Sequence, residues 1–487
     1  MRSVRLRRRG VSLHAMTSPA AIDAEPKSTL LGHPRALAFL FTTEMWERFS
    51  YYGMRSLLVL YMVKYLLLPG RVEDVIGMAG LKHLLEIPFG PLDPQPLASQ
   101  IYGLYTGLVY LTPIFGGFLA DRVLGHRRMV VIGAVLMATG HFMMAFEPLL
   151  LFALLCLILG NGAFKPNMSA QVGDLYAPGD PRRDRAYSIF YVGINLGAFL
   201  APLVCGTLGE RVGWHYGFAA AGIGMLIGLA IYLYASPMLP PDRITPIGER
   251  TPLSRDDRRI LGALLILFVP TSFFWATYEQ QGNTIALWAD TDTDRVVNLF
   301  AWSFEIPTTS FQAFNPFMIF AFTPFVVALW AWQVRRGTEP TTLTKMALGC
   351  FGVTLANLIL AVAAGQAGGA KASWLWLLGY FVVLTVGELY ISPIGLSLVS
   401  KVAPARMLSM MMGVWLATSF TGGFLAGWLG SFWSAMDKQQ FFLLVAAIAG
   451  LAGAAIAAFN RPLRGILEVE PRSVRRSVPG GFPYDVI

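Results

Sequence analysis

The chain has 487 residues, of which 55% are hydrophobic and 14% charged, with a net charge of +9 and three cysteines. Soluble domains carry about 25% charged residues, and secreted scaffolds of the disulfide type are dense in cysteine. A soluble enzyme, a disordered chain and a disulfide-built scaffold are therefore excluded, and a membrane protein remains. One spanning helix needs about 20 predominantly apolar residues, so the apolar content fills roughly a dozen spans.

The N-terminal segment 1–35 opens Met1-Arg2-Ser3-Val4-Arg5-Leu6-Arg7-Arg8-Arg9. It is basic, but no apolar run follows before residue 36, so no cleavable signal peptide is expected. Twelve apolar stretches of helical length come next: 36–67, 98–121, 128–147, 149–173, 185–208, 215–236, 258–288, 312–334, 342–365, 373–400, 407–434 and 440–460. Several exceed a bare span, so tilt or protrusion is expected. A polar linker, 237–257, separates six spans at 36–236 from six at 258–460, and a polar, basic tail follows at 461–487. In each half the longest loop follows the first span, at 68–97 and 289–311. The pattern predicts an all-α membrane protein of twelve helices in two six-helix bundles, a duplicated unit typical of transporters. The linker is too short for an extra helical hairpin.

Twelve spans put both termini on one side. The segments on that side carry 28 of the 38 Lys and Arg residues, the opposite loops carry 6, and 4 lie inside spans. The positive-inside rule then places both termini in the cytoplasm, with the protein integral to the plasma (inner) membrane. This accounts for the basic net charge without nucleic acid. Cys156, Cys205 and Cys350 sit in apolar stretches with no metal-ligand spacing. The pairs Gly103/Gly107, Gly193/Gly197, Gly224/Gly228 and Gly423/Gly427 have the spacing that lets helices pack closely.

The end of span two reads Gly116-Gly-Phe-Leu-Ala-Asp121-Arg122-Val-Leu-Gly125-His-Arg127-Arg128. Glycine allows tight packing, and the charge cluster can hold helices together on one side of the membrane. This stretch resembles the signature loop of the major facilitator superfamily.

An ionisable residue within a span is costly and marks a functional site by default. Span one contains Glu44-Met-Trp-Glu47-Arg48-Phe-Ser-Tyr51-Tyr52-Gly-Met-Arg55. At helical spacing its six polar side chains fall within an arc of about 140°. Such an arc faces a cavity or neighbouring helices rather than lipid. Span four holds Lys165 beside Pro166, where a carboxylate partner or an anionic ligand is expected. Span seven holds Trp275 and Glu279, span eight opens with Asn315, and span ten holds Glu388 between Gly387 and Pro393. Fixed cations come from the first half and lone acids from the second. A cavity between the halves is then positive on one wall and negative on the other. A zwitterion with separated charges, such as a dipeptide or tripeptide, fits that field.

These residues resemble the proton-dependent oligopeptide transporters, the POT or PTR family. Glu44, Glu47, Arg48, Phe49, Tyr51 and Tyr52 match the family's E-x-x-E-R-F-x-Y-Y signature, and Phe190-Tyr-Val-Gly-Ile-Asn195-Leu-Gly resembles its span-five signature. The resemblance implies that Arg48, Lys165 and Tyr52 hold the peptide carboxylate. It implies that Asn195, Asn315 and Glu388 hold the amino terminus, and that Tyr51, Tyr110, Trp275 and Trp415 line side-chain pockets. It further implies that Glu279 is a proton site paired with Arg55 in one conformation. Glu44 and Glu47 then couple protonation to the state of Arg48 and Lys165. The histidine that mammalian members carry in span two is absent: the matching place reads Ile101-Tyr102-Gly103. Of the six histidines only His141, at the outer end of span three, comes near the polar cluster, so carboxylates are expected to carry the proton. The implied activity is proton-coupled import of di- and tripeptides by alternating access. It needs no cofactor or metal and has no catalytic residue; the partners are peptide, proton and lipid, and a monomer suffices. Other family substrates, such as nitrate or amino-acid conjugates, stay open, as does multidrug export.

Overall fold

The computed structural model describes residues 29–177, 180–242, 254–299, 302–403 and 408–467. Two short strands, β1 (Thr29–Leu30) and β2 (His33–Pro34), pair ahead of α1 (Arg35–Tyr61). The chain continues through a wide helical turn, Met62–Leu66, to α2 (Met78–Phe89) and α3 (Pro94–Leu119). A proline at the first helical position of α3 gives up only an N–H that has no partner there. Next come α4 (His126–Met143), α5 (Leu150–Asp174), α6 (Arg182–Ala201), α7 (Thr207–Arg211) and α8 (Trp214–Ala235). Then α9 (Arg255–Tyr278) starts in a capping box made by Ser254 and Asp257. A tight turn at Glu279–Gly282 leads to α10 (Thr284–Thr291). β3 (Thr293–Asp294) and the hairpin β4 (Val296–Leu299) and β5 (Trp302–Glu305) precede α11 (Phe314–Arg335) and α12 (Thr342–Ala367). β6 (Ala372–Ser373) pairs with β3 and opens α13 (Trp374–Leu389), followed by α14 (Ser392–Val402), α15 (Leu408–Gly430) and α16 (Lys438–Leu467).

Among the described residues, nine helical segments are long and apolar enough to cross a membrane. The chain is an integral membrane protein built almost wholly of helix. α1 and α4 fall outside the nine because α1 carries Glu44, Glu47, Arg48 and Arg55 and the first turn of α4 carries Arg127 and Arg128.

α1 packs between α6 and α8, so its charged arc meets protein rather than lipid. α5 packs on α3 and α4; α9 packs on α15 and α16, and α12 on α13 and α16. Two seams join the earlier helices to the later ones, α3 against α15 and α6 against α11. The first is a backbone contact: a side chain at Gly103 would meet the Cα of Gly427 at 2.5 Å, and one at Gly107 the carbonyl of Phe420 at 2.9 Å. Gly193, Gly197, Gly224 and Gly228 press on α1 instead.

Four segments differ from the sequence reading. The expected loop 68–97 contains α2, and 289–311 contains the hairpin. Span seven does not run through to residue 288; the polar run Glu279-Gln280-Gln281-Gly282 breaks it. Span ten breaks at Tyr390–Ile391, because Pro393 lacks the N–H that would continue the helix. By contrast, Pro166 leaves α5 continuous to Asp174. Residues 243–253 of the linker, the chain before 29 and the tail beyond 467 lie outside the described residues.

Candidate functional site

A cavity of about 1170 Å³, counting its mouth, lies between α1, α3, α5 and α6 on one side and α9, α11 and α13 on the other. Helical spacing places Glu44, Arg48, Tyr52 and Arg55 of α1 in one stripe on its wall. Arg48 Nε lies 3.0 Å from Glu44 Oε1 and 2.5 Å from Glu47 Oε2, with all three side chains buried. Glu47 stands behind the wall, where Asn161 Nδ2 donates to it at 3.3 Å. Arg48 Nη2 is buried with no hydrogen-bond partner. Lys165 Nζ sits 4.5 Å over the Tyr110 ring, and among the described residues no carboxylate lies within ion-pair distance of it. Of the two partners expected for Lys165, no fixed carboxylate lies within ion-pair distance among the described residues, and its side chain lines the cavity.

The facing wall holds Glu388. Asn315 Nδ2 donates to Glu388 Oε2 at 2.8 Å and to Thr385 Oγ1 at 3.1 Å, and Tyr278 donates to Asn315 Oδ1 at 3.4 Å. Glu388 thus has a neutral amide as its partner. Trp275 lines the same cavity, with its indole N–H buried and unpartnered. Asn195 lines it from α6 but donates to its own helix at Tyr191, not to Glu388.

Arg55 crosses between the walls. Its guanidinium forms a buried ion pair with Glu279, and its Nε donates to Tyr102 at 2.9 Å. The break in span seven begins at Glu279, which turns that carboxylate toward α1.

Two aromatic residues do not line the cavity. Tyr51 is buried beneath it, edge-on to Tyr52 and stacked on Tyr105. Trp415 lines a separate small apolar crevice with Leu264, Leu267, Leu398 and Met411, and its ring rests on Gly395. The glycine seam turns α15 toward α3, which leaves Trp415 facing α14. His141 is buried in α4 with neither ring nitrogen partnered. The signature stretch ties α3 and α4 to the end of α8. Gly116 abuts the carbonyl of Gly162, and Gly125 adopts a φ of +80°. Arg127 donates to the carbonyls of Leu239 and, at 2.7 Å, of Pro240. Arg122 stacks over Phe118, while Asp121 and Arg128 are exposed.

Sequence reasoning did not single out Tyr102, Asn161, Tyr278, Gln281 or Gln312, although all lie in or beside this site. One signal was present for Asn161: it precedes Lys165 by four residues and so shares its helix face.

Long apolar helices around a deeply charged cavity define a membrane transporter. Residues 127–246 and 242–444 match the profile of the POT family. The chain is 34% identical to the peptide transporter YePEPT of Yersinia enterocolitica, over 82% of this chain and 88% of that one. It is 32% identical to the di-/tripeptide transporter of Lactococcus lactis subsp. cremoris, over 90% and 97% of the two chains. A crystal structure of a POT family transporter in complex with 5-aminolevulinic acid superposes with a TM-score of 0.79. The two share 26% identity, and 90% of this chain and 98% of that one are covered. The chain belongs to the POT family.

Proposed function

We propose that the protein imports di- and tripeptides together with protons, by alternating access of the cavity to the two sides of the membrane. The observation that carries this reading is the state of the ions in the cavity. Among the described residues Lys165 has no carboxylate within ion-pair distance on one wall, Arg48 Nη2 beside it has no hydrogen-bond partner, and Glu388 has only a neutral partner on the other wall. A zwitterion supplies both missing charges at once. Arg48 can hold a carboxylate in a fork, whereas Lys165 acts as a point charge. Glu44 and Glu47 compete with the peptide carboxylate for Arg48. Protonating either acid removes one of the two carboxylates that hold the guanidinium and loosens its hold, so proton and peptide affinities rise together and reciprocally. Protonating Glu279 releases Arg55 and loosens the link between the walls. The zwitterionic 5-aminolevulinic acid bound by the structural relative is consistent with recognition at two separated ends.

On this reading α1, α4 and α15 are spans too, which completes twelve in two bundles at 36–236 and 258–460. Both termini and the Asp121 end are cytoplasmic, and the end with Lys64 and the hairpin faces outward. The proton gradient supplies the driving force without a cofactor. One chain holds both walls, so a monomer suffices. The test is dialanine uptake into proteoliposomes with an imposed proton gradient. Acid-driven accumulation that unlabelled di- and tripeptides compete away supports the reading. Absence of dialanine transport at every pH overturns it.

A further inference from the structure

We propose that Glu210 is a gating residue of the transport cycle: it caps, from the first half, the helix that enters α11 of the second half. That cap must break before the cavity opens outward. The role rests on the outward direction assigned above to the hairpin end.

Glu210 lies on α7, beyond the wide turn Pro202–Gly206. Its Oε2 accepts the Thr308 N–H at 2.8 Å, and its Oε1 accepts the Thr309 N–H at 2.7 Å and the Thr309 hydroxyl at 2.6 Å. Thr308 and Thr309 open the tight helical turn Thr308–Ala313, which runs directly into α11. The first N–H groups of a helix lack intrahelical acceptors. Pro307, at the local cap position, supplies no side-chain acceptor. The acceptor comes instead from Glu210, 98 residues earlier in the chain, and a carboxylate there also meets the positive end of the helix.

The contact is built as well as charged. A Cβ at Gly206 would lie 2.5 Å from Thr309 Cβ, so Thr309 occupies the space that a side chain there would fill. Two further links cross at the same end: Lys64 Nζ to Asp290 at 2.8 Å, and Arg211 Nη2 to the Glu305 carbonyl at 2.8 Å. Lys64 is 47% exposed, and an exposed pair contributes little. Glu210 engages three donors at once through charge-assisted bonds, which are the stronger kind. Parting α7 from this turn leaves all three donors to water, so the cap favours the outward-closed state.

External peptide binds only the outward-open state, and its apparent affinity scales with the population of that state. Weakening the cap should therefore lower KM for uptake. Glu210→Gln puts an amide NH2 against a backbone donor, whereas Glu210→Asp keeps an acceptor. In proteoliposomes we expect Glu210→Gln to lower the KM for dialanine by about fivefold. Glu210→Asp should stay near wild type, and Thr309→Val should shift KM less but in the same direction. A peptide-free readout accompanies this: labelling of Gln312→Cys, in a Cys156→Ser background, by a membrane-impermeant maleimide outside intact cells. Glu210→Gln should speed that labelling several-fold. Unchanged KM and labelling in Glu210→Gln overturn the role, and so does a lower maximal rate with both unchanged. If the Gln variant does not fold, Thr309→Val decides by the same two readouts. If wild type carries no dialanine, the transport reading fails while the labelling still decides Glu210.

Discussion

Arg48 and Lys165 share a cavity wall, yet they are held differently. Arg48 lies against two buried carboxylates, Glu44 and Glu47, while Lys165 Nζ lies over the Tyr110 ring with no carboxylate within ion-pair distance among the described residues. The facing wall repeats the contrast. Glu279 is tied to Arg55 across the cavity, whereas Glu388 rests on the amide of Asn315. Glu44, Arg48, Arg55 and Glu279 are therefore committed to ion pairs, while Lys165 on one wall and Glu388 on the other are not. A buried charge without an opposite charge is expensive, so the uncommitted pair stores a demand for a ligand that brings both signs. The committed pairs are suited to a different task, because a proton can dissolve them.

The largest effect should come from removing the uncommitted cation. Lys165→Ala should lower dialanine uptake about a hundredfold or more, by loss of a desolvated charge contact. An unchanged rate in proteoliposomes would remove Lys165 from the site and erase the contrast with Arg48. Next is the committed acid. Glu279→Gln should lose acid-driven accumulation while keeping peptide counterflow, since binding and exchange do not need its proton. Accumulation at the wild-type level would sink its coupling role. The uncommitted acid should behave otherwise: Glu388→Gln should raise the KM for dialanine about tenfold, the scale of one charge-assisted bond. N-acetylated dialanine, which lacks the amino charge, should bind wild type and variant alike; equal losses for both peptides would contradict an amino-terminal role. The smallest effect is expected outside the cavity. Trp415→Ala should leave the dialanine KM within about twofold, as for changes remote from a site. It should still lower the melting temperature by a few degrees through the void it leaves. A tenfold rise in KM would bring Trp415 back to the peptide.

Much of this site was legible because a helix has a fixed period. Glu44, Arg48, Tyr52 and Arg55 recur at three and four residues, so one stripe followed from α1 alone. Their rarity in an apolar chain marked them as well. Trp415 was not legible in the same way. Its facing depends on how α15 rotates about its axis, and that rotation is set by glycine contacts with α3, more than 300 residues away in sequence. The break at Glu279 was also hidden, since the apolar residues of α10 made span seven read as continuous. Glu210 carried no signal at all: one acid in a five-residue helix shows no period, and its partners lie 98 and 99 residues further on.

Composition and periodicity by themselves determined a helical membrane protein, the charged face of α1 and the short set of ions worth explaining. These properties come from local hydrophobicity and helix geometry, which each segment carries alone. Only the tertiary structure decided which ions have partners. It set Lys165 apart from every described carboxylate, joined Arg55 to Glu279 and gave Glu388 a neutral neighbour. Pairing of that kind depends on distances between helices remote in sequence. Inside a low-dielectric protein, those distances fix whether a charge is satisfied or left for a ligand.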